Sequence, residues 1–286
     1  MSWVVALGTA VAILTGGFVM MDRLVGSMLY HPTPGVDIDP ARAPVPVEEV
    51  FLDTEDGVRI HAFYLPHPEA SRAILFLHGN AGNASHRIPN AVLLQQLGAN
   101  VLLLDYRGYG RSEGSPSEAG LVADARAGLA HLVNERGVPA GRVVLFGRSL
   151  GGAVAVQLAR DRDLAGAILE STFSSLSDAA AAHMGRPAGY LVRGRFDSRA
   201  AMAEVRAPLL FFHGDRDSIV PYVLGQQLFE AAPEPKSFET LQGAGHNDTV
   251  EVGGRPYLRR IGMFLDEVAP QAEREPPPAP PATSSR

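Results

Sequence analysis

The sequence predicts an α/β protein whose largely parallel central sheet is covered by helices on both faces. Largely apolar runs recur along the chain, at 73–79, 100–108, 142–149, 165–171, 208–215 and 236–245. Runs that do not alternate with polar residues are typical of strands buried on both faces. Longer helical patterns such as 117–137 separate them, and regular strand–helix alternation produces a parallel sheet. The 286 residues suffice for one large domain of this class.

The sheet is expected to begin with a hairpin. Two strand-like segments, 47–54 and 58–66, flank Glu55-Asp56-Gly57, and Asp-Gly between strands favours a tight turn. In open sheets of this class ligands bind at the carboxyl ends of the strands, so functional residues are expected there.

The first residues form a separate segment. Trp3–Met21 comprises 19 consecutive uncharged, mostly apolar residues. A helix of that length spans roughly 28 Å, close to the bilayer core of about 30 Å. We interpret residues 1–30 as a single-pass membrane anchor and expect a membrane location. A cleaved signal peptide and a buried or interfacial helix stay open as alternatives, although a signal peptide would have a basic start and a small-residue cleavage site.

Two further segments lie outside the predicted globular domain, 47–269. Residues 31–46 are rich in proline and are interpreted as a spacer after the anchor. Residues 270–286 are rich in proline and serine without periodicity, which is typical of a disordered tail. Nothing before His31 matches a sheet element. A chain from which the residues up to about Pro34 are deleted is therefore expected to fold and to react with a serine-hydrolase probe.

Composition excludes several classes of function. Lys plus Arg is 25 and Asp plus Glu is 31, so the net charge is −6, which disfavours a nucleic-acid-binding protein. The absence of cysteine excludes disulfides, cysteine-bound zinc and a thiol nucleophile. The sequence contains neither a P-loop motif nor a helical histidine pair for zinc, so neither a metal nor an organic cofactor is expected.

A candidate nucleophile lies between a strand-like and a helix-like segment. The motif GRSLGG, at 147–152, joins VVLF to AVAVQLAR. G-x-S-x-G in this context presents the serine on a strained turn that leaves no room for side chains at the glycines. We therefore predict Ser149 as a nucleophile.

A serine nucleophile requires a base and an acid. His246 is the candidate base, because it lies in the loop between the last predicted strand and the final predicted helix. Three carboxylates could orient its imidazole and stabilise the cation: Asp215 and Asp217 after one strand, and Glu170 at the end of the preceding strand. The chain order Ser149, Asp217, His246 matches that of the α/β hydrolases and neither the chymotrypsin nor the subtilisin order.

Almost all of residues 47–268 resembles the α/β-hydrolase superfamily, and most of all its serine hydrolases with an N-terminal membrane segment and a small cap. Five motifs carry the resemblance, in this order: LHGNAGN (77–83), DYRGYGRSEG (105–114), GRSLGG (147–152), HGDRDSIVP (213–221) and GAGHND (243–248). The resemblance implies the α/β-hydrolase fold for this domain.

The resemblance also implies roles for individual residues. The acid of the family motif H-G-x-x-D corresponds to Asp217. The two N–H groups of the oxyanion hole correspond to Leu150 and Asn80. Large lids of this fold are inserted at positions that correspond to residues 171–206, and this stretch is short, so the cap should be small.

These residues imply a serine hydrolase that cleaves carboxylic esters or acyl thioesters through an acyl-enzyme, without a cofactor. With a membrane anchor, the expected partners are small-molecule or lipid acyl substrates, or acylated proteins, at a bilayer surface; no nucleic acid is expected. A peptidase or amidase on the same triad is an alternative. A membrane-tethered binding protein without activity is another, and it would require an incomplete triad.

Overall fold

The computed structural model describes Gly26, residues 29–160 and residues 162–272. Most of the predicted anchor, 1–30, and the predicted tail from 273 onward lie outside the described residues. Within the described ranges, no helix is long and apolar enough to cross a membrane.

The structure follows the predicted alternation of strands and helices. The strands in the described ranges are β1 (His31–Pro32), β2 (Glu48–Asp53), β3 (Arg59–Leu65), β4 (Ala73–Leu77), β5 (Ala81–Gly82), β6 (Asn100–Leu104), β7 (Val143–Arg148), β8 (Gly166–Glu170), β9 (Leu209–Gly214) and β10 (Lys236–Leu241). The α-helices are α1 (Ile88–Gln95), α2 (Glu118–Asn134), α3 (Leu150–Ala159), α4 (Leu176–Met184), α5 (Arg186–Leu191), α6 (Ser198–Met202), α7 (Tyr222–Ala231) and α8 (Thr249–Val268). Each predicted apolar run contains one strand of the main sheet.

Eight strands form one sheet in the order β10-β9-β8-β7-β4-β6-β3-β2. All neighbours pair in parallel except β3, which is antiparallel to β2 and to β6. The predicted hairpin is formed by β2 and β3. The mostly parallel sheet that the sequence predicts is therefore confirmed.

Alternate residues of the central strands fill two separate hydrophobic cores. In β4, Leu75 and Leu77 lie in one core, which α2, α3 and α7 cover. Ile74 and Phe76 lie in the other, which α1 and α8 cover. Because both faces of the sheet bury side chains, the central strands are apolar over most of their length, and charged residues such as Arg148 and Glu170 stand at their ends.

The segment predicted as a spacer, 31–46, is docked on the globular domain. β1 pairs in parallel with β5. Further on, the N–H groups of Asp37 and Ile38 both donate to Ser85 Oγ, at 3.1 Å. An extended segment on a protein surface must find partners for its backbone groups, and here loops of the globule supply them. A two-residue strand has no periodicity, so the sequence contains no signal for it.

Candidate active site

Ser149 lies at the sharp turn between β7 and α3. Its φ is 53°, in a region that residues other than glycine rarely adopt. Two hydrogen bonds hold this backbone: the Ser149 N–H donates to Glu170 O (2.8 Å), and the Thr172 hydroxyl donates to Ser149 O (2.8 Å). Strained backbone of this kind persists where the surrounding structure enforces it, and it is concentrated at functional sites.

Only glycine fits on either side of this turn. A Cβ atom on Gly151 would lie 1.9 Å from the carbonyl oxygen of Leu77, and one on Gly147 would lie 2.5 Å from Gly151 O. Neither approach is sterically allowed. The predicted strand, turn and helix around the G-x-S-x-G motif are all present.

Asp217 and His246 are in direct contact. The imidazole Nδ1 lies 2.7 Å from Asp217 Oδ2. The other carboxylate oxygen, Oδ1, accepts the N–H groups of Ile219 (2.9 Å) and Val220 (2.7 Å). These two bonds fix the carboxylate so that Oδ2 faces the imidazole.

The pKa of Asp217 lies well below its usual range. Burial raises it, but hydrogen bonds from His213 and His246 and the charge of His246 outweigh the burial. The carboxylate is therefore ionised at neutral pH and can stabilise an imidazolium.

Asp215, the second carboxylate of the same loop, has a different role. It accepts the N–H of Gly243 at 2.7 Å and so connects the end of β9 to the turn after β10. This bond positions the loop that carries His246, but Asp215 does not contact the imidazole.

Glu170, the third candidate acid, lies in a buried network. Its Oε1 is 3.1 Å from Arg148 Nε and accepts the Thr249 hydroxyl at 3.0 Å, and its Oε2 accepts the Tyr257 hydroxyl. Arg148 in turn donates to the carbonyl oxygen of His246. Of the three carboxylates, the structure brings only Asp217 to the imidazole, and Glu170 supports the loop from behind.

Asn80 lies between β4 and β5 and is held by three hydrogen bonds. Its carbonyl oxygen accepts the His31 N–H (3.0 Å) and the Tyr109 hydroxyl (2.8 Å). Its side-chain amide donates to Leu29 O at 2.7 Å. The N-terminal segment therefore orders the loop that contains this candidate oxyanion donor.

Ser149 lies at the junction of two cavities. The larger, of about 400 Å³, also contacts the candidate oxyanion residues Asn80 and Leu150. Its apolar walls come mainly from the cap region and the N-terminal segment: Leu29, Phe173, Leu176, Ala179, Ala180, Met184, Val192, Ile219 and Val220. The smaller cavity, of about 110 Å³, is lined by several polar and charged residues, among them His246.

Cavity size alone would have indicated a different site. A cavity of about 840 Å³ lies between α2 and the cap and contains none of the predicted site residues. Among the described residues, no cluster of three or more metal-ligating side chains is present.

Sequence reasoning missed three residues that line the two cavities. Arg148 is the first variable residue of G-x-S-x-G and lines the smaller cavity. A charged residue at the end of a buried strand is unusual, and this could have indicated a functional residue from the sequence. Leu29 and Arg87 had no signal, because only the folded chain brings them to Ser149.

Comparison with known proteins identifies relatives of this chain. A family model described as serine aminopeptidase, S33, matches residues 68–192. The chain is 42% identical over 246 residues to the uncharacterized protein Rv2307c of Mycobacterium tuberculosis, which covers 85% of this chain and 87% of that protein. It is 34% identical over 290 residues to the alpha/beta hydrolase domain-containing protein WAV2 of Arabidopsis thaliana, which covers 92% and 94%.

The chain belongs to the α/β-hydrolase family.

Solved structures of this α/β-hydrolase fold include an esterase and a peptidase. The Pyrococcus furiosus esterase Pf2001 has a TM-score of 0.70 at 21% identity, over 84% of this chain and 98% of that one. A puromycin-hydrolyzing peptidase of Mycobacterium tuberculosis has a TM-score of 0.67 at 19% identity, over 81% and 40%. These likenesses show the fold. Family membership makes this α/β hydrolase a serine hydrolase in general, and the bond that it cleaves is a separate question.

Proposed function

We propose that the chain is a membrane-tethered serine hydrolase that cleaves carboxylic esters or acyl thioesters. Ser149 attacks the acyl carbonyl, His246 accepts the serine proton, and Asp217 stabilises the imidazolium. The N–H groups of Asn80 and Leu150 stabilise the oxyanion. Water then hydrolyses the acyl-enzyme, and no cofactor takes part.

The observation that carries the proposal is the 2.7 Å contact between His246 and Asp217 beside a serine on a strained turn. Ser149 and His246 line the same small cavity. An imidazole that is oriented by an ionised carboxylate and lies next to a serine is the arrangement that activates a hydroxyl as a nucleophile.

The larger cavity supports an acyl substrate. Its walls are mainly aliphatic and aromatic, so it suits a hydrocarbon chain that ends at Ser149. Nearby, the cap exposes Met184, Tyr190 and Leu191, at 59%, 74% and 62%. Exposed apolar side chains on two consecutive cap helices, α4 and α5, favour contact with a lipid surface.

The membrane tether is part of the same proposal. Trp3–Met21 would cross the bilayer, and Leu29, only eight residues later, lines the acyl cavity. Eight residues reach at most about 29 Å at about 3.6 Å per residue, so the cavity would lie near the membrane surface. Recovery of the full chain in a carbonate-resistant membrane fraction supports the tether, whereas a soluble chain shortened near Gly17 contradicts it.

A peptidase or amidase is the second candidate, because the matching family model is described as a serine aminopeptidase. An aminopeptidase must bind a positively charged α-amino group, and a carboxylate in the site is the usual partner for such a charge. Within the described ranges, neither cavity that contains Ser149 is lined by Asp or Glu. This lining favours ester or thioester substrates.

Labelling with a fluorophosphonate probe tests the nucleophile. Ser149→Ala should abolish labelling and lower ester turnover by a factor on the order of 10⁶. Ser171→Ala is the matched control: Ser171 is buried, follows β8 and has a φ of 47°, but lines neither cavity. Equal labelling of both variants, or no labelling of the wild type, would overturn the proposal.

A panel of matched substrates then identifies the bond. Acyl esters, acyl thioesters and aminoacyl amides of equal chain length are compared on the purified full chain in detergent. We expect the highest kcat/KM for an ester or a thioester, and faster cleavage of the aminoacyl amides would favour the peptidase. A labelled protein that turns over none of them would contradict the hydrolase proposal.

A further inference from the structure

The smaller cavity beside Ser149 is lined by two arginines and, among the described residues, by no carboxylate. Its walls include Arg87, Arg148, His246 and Asn247. The nucleophile therefore separates an apolar cavity from a positively charged one.

The two arginines differ in how their charges are compensated. Arg148 Nε lies 3.1 Å from Glu170 Oε1. The buried Nε of each arginine has no hydrogen-bond partner, but Arg148 Nη2 donates to His246 O and Asn247 Oδ1, whereas Arg87 has only a long contact from Nη2 to Ala81 O at 3.5 Å. No described residue forms an ion pair with Arg87.

Arg87 is consequently a half-buried cation for which no described residue supplies a counter-ion. Burial and then the charge of Arg148 lower the pKa of Arg87 from its usual value. A guanidinium is nevertheless protonated at neutral pH. An anion in the cavity would satisfy both the charge and the free N–H groups, and phosphate and carboxylate match the fork of a guanidinium.

The position of His246 assigns the two cavities to the two parts of an ester. His246 lines the smaller cavity and not the larger one. In a serine hydrolase the histidine gives its proton to the leaving group. The leaving group therefore lies on the side of the arginines, and the acyl chain lies in the apolar cavity.

We infer that this site takes acyl esters whose alcohol part carries an anionic group, a phosphate or a carboxylate, close to the ester oxygen. The inference rests on the proposed function. Ser149 Oγ bonds to the acyl carbon, the bond from that carbon to the alcohol oxygen breaks, and the oxygen receives its proton from His246. Arg87 holds the anionic group throughout.

Two substrates that differ only in a phosphate provide the test. 1-Butanoylglycerol 3-phosphate and 1-butanoylglycerol are compared by kcat/KM on the full chain in detergent. A charge-assisted hydrogen bond should favour the phosphate ester by roughly ten- to a hundredfold. Arg87→Gln should remove most of this preference, and Arg87→Lys should keep part of it because the charge is retained. The control is Arg186→Gln, since Arg186 is exposed on the cap and lines neither cavity.

Further substrates distinguish the sources of the anion. The butanoyl ester of glycerate tests a carboxylate, and the oleoyl analogue of the phosphate ester in neutral phosphatidylcholine vesicles tests a lipid headgroup. A preference for the phosphate in both the soluble and the vesicle assay supports recognition of the anionic group itself. A preference only in vesicles would indicate attraction at the membrane surface and would overturn the inference.

Binding without turnover separates this inference from the proposed function. In Ser149→Ala, calorimetry should detect the phosphate ester but not the neutral ester, and adding Arg87→Gln should weaken binding by roughly ten- to a hundredfold. Equal binding with and without Arg87 overturns the anion site. A chain that binds the phosphate ester but neither reacts with the probe nor cleaves any ester refutes the proposed function and leaves the anion site standing.

Discussion

Substitution of Glu170 by glutamine should distinguish a structural carboxylate from a catalytic one. Arg148 and Glu170 are 6% and 1% exposed, so Glu170→Gln leaves a buried guanidinium without its counter-ion. Removal of one partner of a buried ion pair costs about 3–5 kcal/mol. For a domain of this size each kcal/mol lowers the Tm by about 2–4 °C, so we expect a decrease of roughly 6–20 °C.

Equilibrium urea unfolding followed by far-ultraviolet circular dichroism measures this loss. Tryptophan fluorescence is unsuitable because the single tryptophan, Trp3, belongs to the predicted membrane anchor and not to the globular domain. The matched control is Glu204→Gln, since Glu204 pairs with Arg160 where both side chains are 41% exposed. An exposed pair contributes about 0–1 kcal/mol, so this variant should unfold close to the wild type.

Activity provides the second half of the test. Glu170 does not contact His246, so we expect kcat of Glu170→Gln to fall by less than about tenfold at 20 °C, through the Arg148 contact with the histidine loop. The reasoning is refuted if Glu170→Gln unfolds at the wild-type urea concentration while kcat falls by about 10⁴, the loss expected for the triad acid.

Three further predictions concern the acid and the N-terminal segment. Asp217→Asn should lower kcat by about 10⁴ in an ester assay, and Asp215→Asn should cost much less; the reverse order would reassign the acid. Folding lowers the pKa of Asp217, so its contribution to stability is present above about pH 4 and is lost as the pH falls further. The urea midpoint should thus decrease in acid, and less so in Asp217→Asn. A chain that lacks the residues before Pro34 loses the hydrogen bond between Leu29 and Asn80, so its kcat should fall by about a hundredfold. A chain that begins before Leu29 keeps this bond and should keep its kcat. Equal kcat values for the two chains would show that the contact is unimportant.

The sequence alone led us to expect that the chain without the residues up to about Pro34 folds and reacts normally. The structure instead predicts a lower kcat for that chain. Residues 29–33 have no strand-like pattern, yet they hold the Asn80 loop through backbone groups. Hydrogen bonds between backbone groups do not depend on side-chain identity, so they leave no signal in a sequence.

The sequence by itself determined the layered fold and the strand, turn and helix that carry the candidate nucleophile Ser149. Strands buried on both faces are apolar over most of their length, and this pattern is readable over 73–77 or 143–147 without any knowledge of their neighbours. The turn at Ser149 is equally readable, because its tight packing admits only glycine at Gly147 and Gly151.

The family resemblance implied Asp217 as the acid, but only the tertiary structure showed that its carboxylate, and not that of Asp215 or Glu170, contacts His246, and only the tertiary structure decided what surrounds Ser149. Asp215 and Asp217 are two residues apart in one loop, and the backbone course of that loop directs one to Gly243 and the other to the imidazole. Arg87 lines the same cavity as Ser149 although 62 positions of sequence separate them, and no local periodicity records this proximity. Local patterns report burial and turns, whereas the charge and shape of a cavity depend on side chains that only the folded chain brings together.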